Sequence, residues 1–354
     1  SDTALTLTGQ LTLNTASGQL TLGGSVDGSY ALTLNSTGVT TLQGALGSGH
    51  ALTSLTTNAG GTLLINGGAI TTTGNQTYGE AITLGADTLL RSSGSGAITL
   101  GNTLDGAYTL IVNTSGATTF TGAVGDTTPL TSLTTDAGGT LAIHGGVVNT
   151  TGAQTYGEAA TLGANTTLTS TGAGAITFGN TLDGSYTLAL NTSGATTFTG
   201  AVGNSAALTS LTTDAGGSVA INGGVVNTTG AQIYGEAATL GANTTLTSTG
   251  SGAITFGHTL DGAYTLAVNT SGATTFTGAV GGTTALTSLT TDVGGTVAIN
   301  GGTVNTTGAQ TYSEAVNLSA NAVLSSSGAG DITFGNTLNG AYALVVNTSG
   351  ATTF

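Results

Sequence analysis

The chain repeats every 78 residues without an insertion or deletion. GNTLDGAYTL begins at Gly101, GNTLDGSYTL at Gly179, GHTLDGAYTL at Gly257 and GNTLNGAYAL at Gly335; GGSVDGSYAL at Gly23 is the earliest copy. The whole units are 23–100, 101–178, 179–256 and 257–334, with partial units 1–22 and 335–354. A fixed period of this kind points to stacked structural units, each touching its neighbours, and not to one closed core. We therefore expect a single continuous solenoid over 1–354, although 354 residues would ordinarily suggest two or three domains.

Smaller copies fill the unit. VNTSGATTFTGAV (112–124), VNTTGAQTYGEAA (148–160) and LTSTGAGAITFGN (168–180) share one plan, and LTTDAGGTLAIHGG (133–146) is a looser version. Each is a short β-prone run, a Gly-containing turn and a second run. Apolar residues alternate, as in Tyr108-Thr109-Leu110 and Ala175-Ile176-Thr177-Phe178, which is the period of a strand. Gly and Thr are poor helix formers, and the chain holds 62 Gly. The expected fold class is all-β: a parallel β-helix of 78-residue repeats. Four sub-copies imply about four coils per repeat, and their uneven spacing keeps three longer coils as the alternative. A propeller blade is longer than these sub-copies, and an immunoglobulin-like unit needs about 100 residues.

Composition removes whole classes of function. With 38% apolar and 5% charged residues the chain is ordered, not a disordered linker. Its net charge of −14 arises from 15 acids against one base, Arg91. Phosphate backbones and anionic membranes need Lys and Arg, so nucleic acid is excluded as a partner. No apolar run is long enough to span a bilayer, so membrane insertion is not expected. The absence of Cys removes disulfides and thiolate sites and suits a chain exported unfolded.

The aromatic residues follow the period. Phe120, Phe198, Phe276 and Phe354 form one series with Leu42 in first place; Phe178, Phe256 and Phe334 form another with Leu100. Exchange of Phe for Leu predicts interior positions. Tyr30, Tyr108, Tyr186, Tyr264 and Tyr342 form a third series, and Tyr78, Tyr156, Tyr234 and Tyr312 a fourth. For both Tyr series we expect core or corner packing over a sugar-stacking stripe. Gly and Asn are expected at corners with positive φ. Asn113, Asn191, Asn269 and Asn347 are candidates for stacked amide ladders.

The acids are periodic too. Asp27, Asp105, Asp183 and Asp261 share a phase with Asn339; Asp136, Asp214 and Asp292 share one with Asn58; Glu80, Glu158, Glu236 and Glu314 share a third. Catalytic carboxylate pairs lie about 5–10 Å apart, whereas acids of one phase four coils apart would be separated by about 19 Å. Asp–Asn exchange suggests Asx turns, which accept either. His50, His144 and His258 fall at three different phases and do not suggest a zinc site. We expect no catalytic residues, no metal site and no cofactor. N-x-[ST] sequons, as at Asn75 and Asn243, are read as a by-product of abundant Asn and Thr.

The run VNTSGATTF over Val112–Phe120, GTLAI over Gly139–Ile143 and the recurring TSTGAGAITF resemble large bacterial exoproteins of the filamentous-haemagglutinin-like type. The resemblance covers nearly the whole chain. It implies a right-handed parallel β-helix, secretion by a two-partner or autotransporter route, and a role in adhesion or biofilm matrix. No secretion domain, receptor-binding module or RGD-type motif accompanies it, so it supports a shaft better than a tip. The expected function is an extracellular structural shaft or filament segment on the bacterial cell surface, not an enzyme. The alternative is a carbohydrate- or ice-binding solenoid surface, although no strict one-per-coil Thr-x-Thr register is visible. Both partial units read as ordinary repeat without polar caps, so the expected partners are a longer continuation of the chain or copies stacked end to end. Host or matrix glycans are candidate ligands.

Overall fold

A computed structural model describes residues 3–354. Every regular element among them is a β-strand of two to six residues. The strands lie in two compact units, Ser1–Ala175 and Ile176–Phe354.

In the first unit one inward-facing ladder runs through Leu5, Val26, Leu46, Ile70, Leu90, Val112, Thr135 and Tyr156, each the parallel partner of the next. In the second the corresponding ladder is Leu182, Val202, Val226, Leu246, Val268, Thr291, Tyr312 and Phe334. A coil therefore takes roughly 22 residues, and the chain makes about 16 turns of a parallel β-solenoid. Alternation decides what faces inward. Thr265–Thr270 buries Leu266, Val268 and Thr270 while Thr265, Ala267 and Asn269 stay partly exposed. The inward Leu, Val, Ile and Phe side chains are almost all 0–3% exposed.

The sequence repeat and the coil do not share a length. In the second unit Leu182, Leu260 and Leu338 are one repeat apart, yet they pair with Val202, Val280 and Val316 on three different ladders. The chain passes from Leu182 through Leu188, Thr196, Val202, Leu211, Val219, Val226, Gln232, Ala238, Leu246 and Ile254 to Leu260, eleven ladder steps in all. Three steps complete a coil, so one repeat is three and two-thirds coils, between the three and the four that the sub-copies allow. The first unit obeys the same rule: Val26 shares its ladder with Val112, whereas Leu104 pairs with Ile82 and Val124. Equivalent residues of successive repeats thus face different sides.

This offset assembles the core from unlike phases. Tyr234 stacks on Phe256 and Phe256 on Phe276, with ring centroids 5.0 and 5.6 Å apart. Tyr312, Phe334 and Phe354 repeat the arrangement at 5.3 and 5.2 Å. Each stack draws one residue from each of three sequence series. Leu100 occupies the middle of the first-unit column, between Tyr78 and Phe120. Near-parallel aromatic pairs add about 0.5–1.5 kcal/mol each beyond area burial. Both Phe series are interior, as expected, apart from the 74% exposed Phe354.

Corners hold backbone against backbone. A Cβ on Gly301 would fall on the backbone of Gly278, one coil below. Not every left-handed position is Gly or Asn: Ser95, Ala173, Ser251 and Ala329 adopt φ of 61–65° at one recurring turn. Ser95 and Ser251 each bond a Ser hydroxyl one coil above, Ser115 and Ser271, at 2.7 Å. We predict that Gly301→Ala lowers stability by about 1–3 kcal/mol in thermal unfolding, the cost of overpacking. Gly18→Ala, whose Cβ meets nothing within 4 Å, should stay within about 0.5 kcal/mol of the parent.

Candidate functional site

One feature in each repeat departs from the smooth coil. Residues 47–51, 125–129, 203–207 and 281–285 interrupt a strand and carry the sequences GSGHA, GDTTP, GNSAA and GGTTA. The flanking residues keep their ladder: Val202 pairs with Val226 and Leu208 with Thr228. The loop is held from the coil below by an Asp. Asp261 Oδ1 accepts the backbone N–H groups of Thr283 and Thr284 at 2.8 and 2.9 Å. Asp27, Asp105 and Asp183 brace their loops in the same way. The Asp27 series is therefore engaged in turn chemistry. A carboxylate accepting two N–H groups is a charge-assisted brace.

An exposed tyrosine stands beside each loop. The Tyr30 carbonyl accepts the N–H of Thr53, just past the 47–51 loop, and the Tyr108 carbonyl that of Thr131. Tyr30, Tyr108, Tyr186, Tyr264 and Tyr342 are 38–50% exposed. Of the core or corner packing expected for that series the structure shows the corner: each Tyr lies in the turn before a strand, two residues after a Gly with φ near 130°. Within each unit the offset between repeat and coil sends consecutive Tyr–loop pairs to different sides: Tyr30 precedes the ladder of Leu32 and Leu55, Tyr108 that of Leu110 and Leu133.

The other Tyr series is buried and shows a motif that the sequence pattern does not single out. Gln232 Nε2 donates to the carbonyls of Val226 and Thr247 and to Thr228 Oγ1, at 2.9–3.2 Å, and its Oε1 accepts the Tyr234 hydroxyl at 3.0 Å. Gln76–Tyr78, Gln154–Tyr156 and Gln310–Tyr312 repeat it. Burial pushes the Tyr234 phenol far above its usual range. The visible signal was a Gln two residues before each Tyr of that phase.

The remaining candidates separate cleanly. Glu80, Glu158, Glu236 and Glu314 are all buried, at 0–1% exposure. Desolvation raises their carboxyl groups, Glu236 to about 6 and Glu314 to about 7. The Asp136 series lies one coil below them. Asp136 and Asp292 accept the N–H of Thr114 and Thr270, and Asn58 that of Ser36. The expected Asn ladders do not form: Asn113 is the partner of Arg91, Asn269 of Thr247 and Asn347 of Ser325. A side-chain amide contact does join Asn35 to Asn14, at 2.8 Å. His50 lies in the first loop, and His144 and His258 are exposed. Among the described residues no three His, Cys, Asp or Glu side chains converge to hold a metal.

One surface row was hidden in the sequence. Thr12, Thr33, Thr56, Thr77, Thr99 and Thr119 are successive outward partners on one side of the first unit. They belong to different phases of the repeat, and the non-integral coil count brings them into line.

No protein-family model matches the chain, and no curated protein or solved structure matches it either. The parallel β-solenoid stands on its own geometry, and no family is assigned to the chain.

The Asp brace makes a direct prediction. Asp261→Ala should speed amide hydrogen exchange at Thr283 and Thr284 roughly tenfold, the loss of a charge-assisted bond, whereas Asp261→Asn, which keeps an acceptor oxygen, should change it far less.

Proposed function

We propose that the chain is an extracellular structural segment, part of the shaft or filament of a bacterial surface adhesin or matrix fibre, supplying length and rigidity. The observation that carries this reading is the parallel ladder in each unit, eight residues joined by seven successive backbone pairings, over a filled core. Such a stack resists deformation because every coil is pinned to the coils above and below it. The offset of the repeat supports the same reading. It distributes each recurring Tyr, Asp and loop over different sides, which is poor design for a linear ligand track and good design for an even surface. The filamentous-haemagglutinin-like style of the repeats points the same way. Partners on this reading are further solenoid coils, from the same chain or a second copy, and the function is not enzymatic. Immunogold labelling of the producing cells with antibody to this chain should mark surface fibres, and deletion of one whole repeat, residues 179–256, should shorten them. Label confined to the cell interior would remove the proposal.

A specific observation favours a binding surface as the second reading. Six Thr hydroxyls and methyls at one per coil, about 4.8 Å apart, form a regular row beside small outward residues such as Ala31, Ser54 and Ala97. A row of that regularity can order water. The exposed Tyr of each loop is a separate platform for a sugar ring. We predict no thermal hysteresis on freezing if the shaft reading holds; measurable hysteresis that Thr77→Lys abolishes would favour the ice-binding surface.

A further inference from the structure

The four glutamates of the chain are the anomaly of its interior. Each lies in the turn between two strands and is buried. Glu158 joins Gln154–Tyr156 to Ala159–Leu162, and Asp136 joins Ser132–Thr135 to Thr140–Ile143 one coil below. Tyr156 rests on Thr135 and Ala159 on Thr140, so Glu158 spans the Asp136–Gly139 turn. Glycine makes the space: a Cβ on Gly295, the matching position beneath Glu314, would come within 2.7 Å of Glu314 Oε2.

No Lys or Arg compensates these carboxyl groups, and the one titratable base in the turns stacked above them is the exposed His258, one coil above Glu236. The chain has one Lys or Arg, Arg91, whose side chain is exposed on Thr88–Ser92. Glu158 Oε1 receives a long bond from Thr118 at 3.3 Å, and the Thr135 hydroxyl and a backbone N–H also donate to the carboxyl, so all of its donors are neutral. In the second unit the protein donors at the carboxyl groups are neutral: the Thr213 hydroxyl and a backbone N–H for Glu236, and the Thr291 hydroxyl for Glu314. The charged groups that act on them are Asp136 for Glu158, Asp214 for Glu236 and Asp292 for Glu314, and each raises the Glu carboxyl further. Glu80 is the exception, because Asn58 replaces the Asp and no such charge acts there. A buried carboxylate without a cation, facing a second carboxylate, is the arrangement in which one proton is retained.

We propose that the corners of Glu158, Glu236 and Glu314 are proton-operated clips, in which a proton taken from solvent and held on the buried Glu beside its Asp tightens the turn, and its loss loosens the coil at that turn. Protonation of the Glu removes its repulsion by the neighbouring Asp carboxylate. The fold is then more stable in mild acid. A folded-state carboxyl raised above its unfolded value contributes stability that is complete below about pH 4.5 and is lost as pH rises through the folded values, about 6 for Glu236 and about 7 for Glu314.

The test is reversible unfolding of the whole chain in guanidinium between pH 8 and pH 5. The native chain should become more stable on acidification, with at least a roughly tenfold change in the unfolding constant. The triple variant Glu158→Gln, Glu236→Gln, Glu314→Gln, which mimics the neutral acids, should lose most of that pH dependence. A native chain that is indifferent to acid or weakened by it over this range overturns the proposal, as does a triple variant that keeps the full dependence. If the variant does not fold, carboxyl-carbon NMR of the glutamate-labelled native chain decides, since it contains four Glu. Resonances titrating between pH 5.5 and 7.5 support the clips, and all four titrating near 4.5 overturn them. Stabilisation of the native chain at pH 8 by calcium chloride, absent in the Gln variant, would show that the corners hold a cation instead.

Discussion

Backbone pairing between successive coils is the constraint on which everything else depends. In a parallel stack each inward strand must exchange its N–H and C=O groups with strands one coil away. The turns pair too: Val26 donates to Ala45, and Thr53 to Tyr30. Buried backbone groups left unpaired would be costly, so coil length can vary only where turns absorb the difference. Partner offsets run from 19 residues, Leu63 to Ile82, to 24, Leu46 to Ile70. The corner glycines are the counterpart of that pairing. Coils can approach at the ladder spacing only if nothing projects at the crossing points, as where Gly301 lies over Gly278.

The mismatch between a 78-residue repeat and a coil of roughly 22 residues gives the molecule its particular character. A commensurate solenoid stacks each residue on its own copy. Here Phe256 stacks on Tyr234 and Phe276, and Thr77 on Thr56 and Thr99. The core is therefore varied along each ladder and alike around the three sides. The exposed Tyr–loop pairs are spread for the same reason. Even surfaces without a concentrated site are consistent with the structural role proposed above.

Polar chemistry inside the solenoid is handled in two opposite ways. The Gln–Tyr pairs satisfy nearly every donor and acceptor they bring, and so join neighbouring strands at little net cost. The Glu corners bury a carboxyl group with only neutral donors in a chain almost without bases. Both motifs recur in every repeat. One is a closed network and the other an open one, and it is the open one that carries a response to protons.

Much of the architecture was legible in the amino-acid sequence. Period-two alternation, Gly-rich turns and exact recurrence imply stacked β-coils, because short strands of this pattern can bury their apolar side only against a copy of themselves. Phe–Leu exchange marked interior positions, and Asp–Asn exchange marked turns. The number of coils per repeat was not legible, since it depends on how far each turn carries the chain around the axis and not on any residue type. Everything governed by that number was hidden with it: which aromatics meet, that Asn113 lies beside Arg91 and not another Asn, that six Thr fall into line, and that Glu158 comes to rest over Asp136. The two Tyr series illustrate the limit best. Tyr30 and Tyr78 are the same residue with the same period, yet one is 42% exposed and the other fully buried. A Gly stands two residues before Tyr30 and a Gln two residues before Tyr78, but what these mean for exposure shows only in the fold, where Tyr30 lies in a turn and Tyr78 on an inward strand bonded to Gln76.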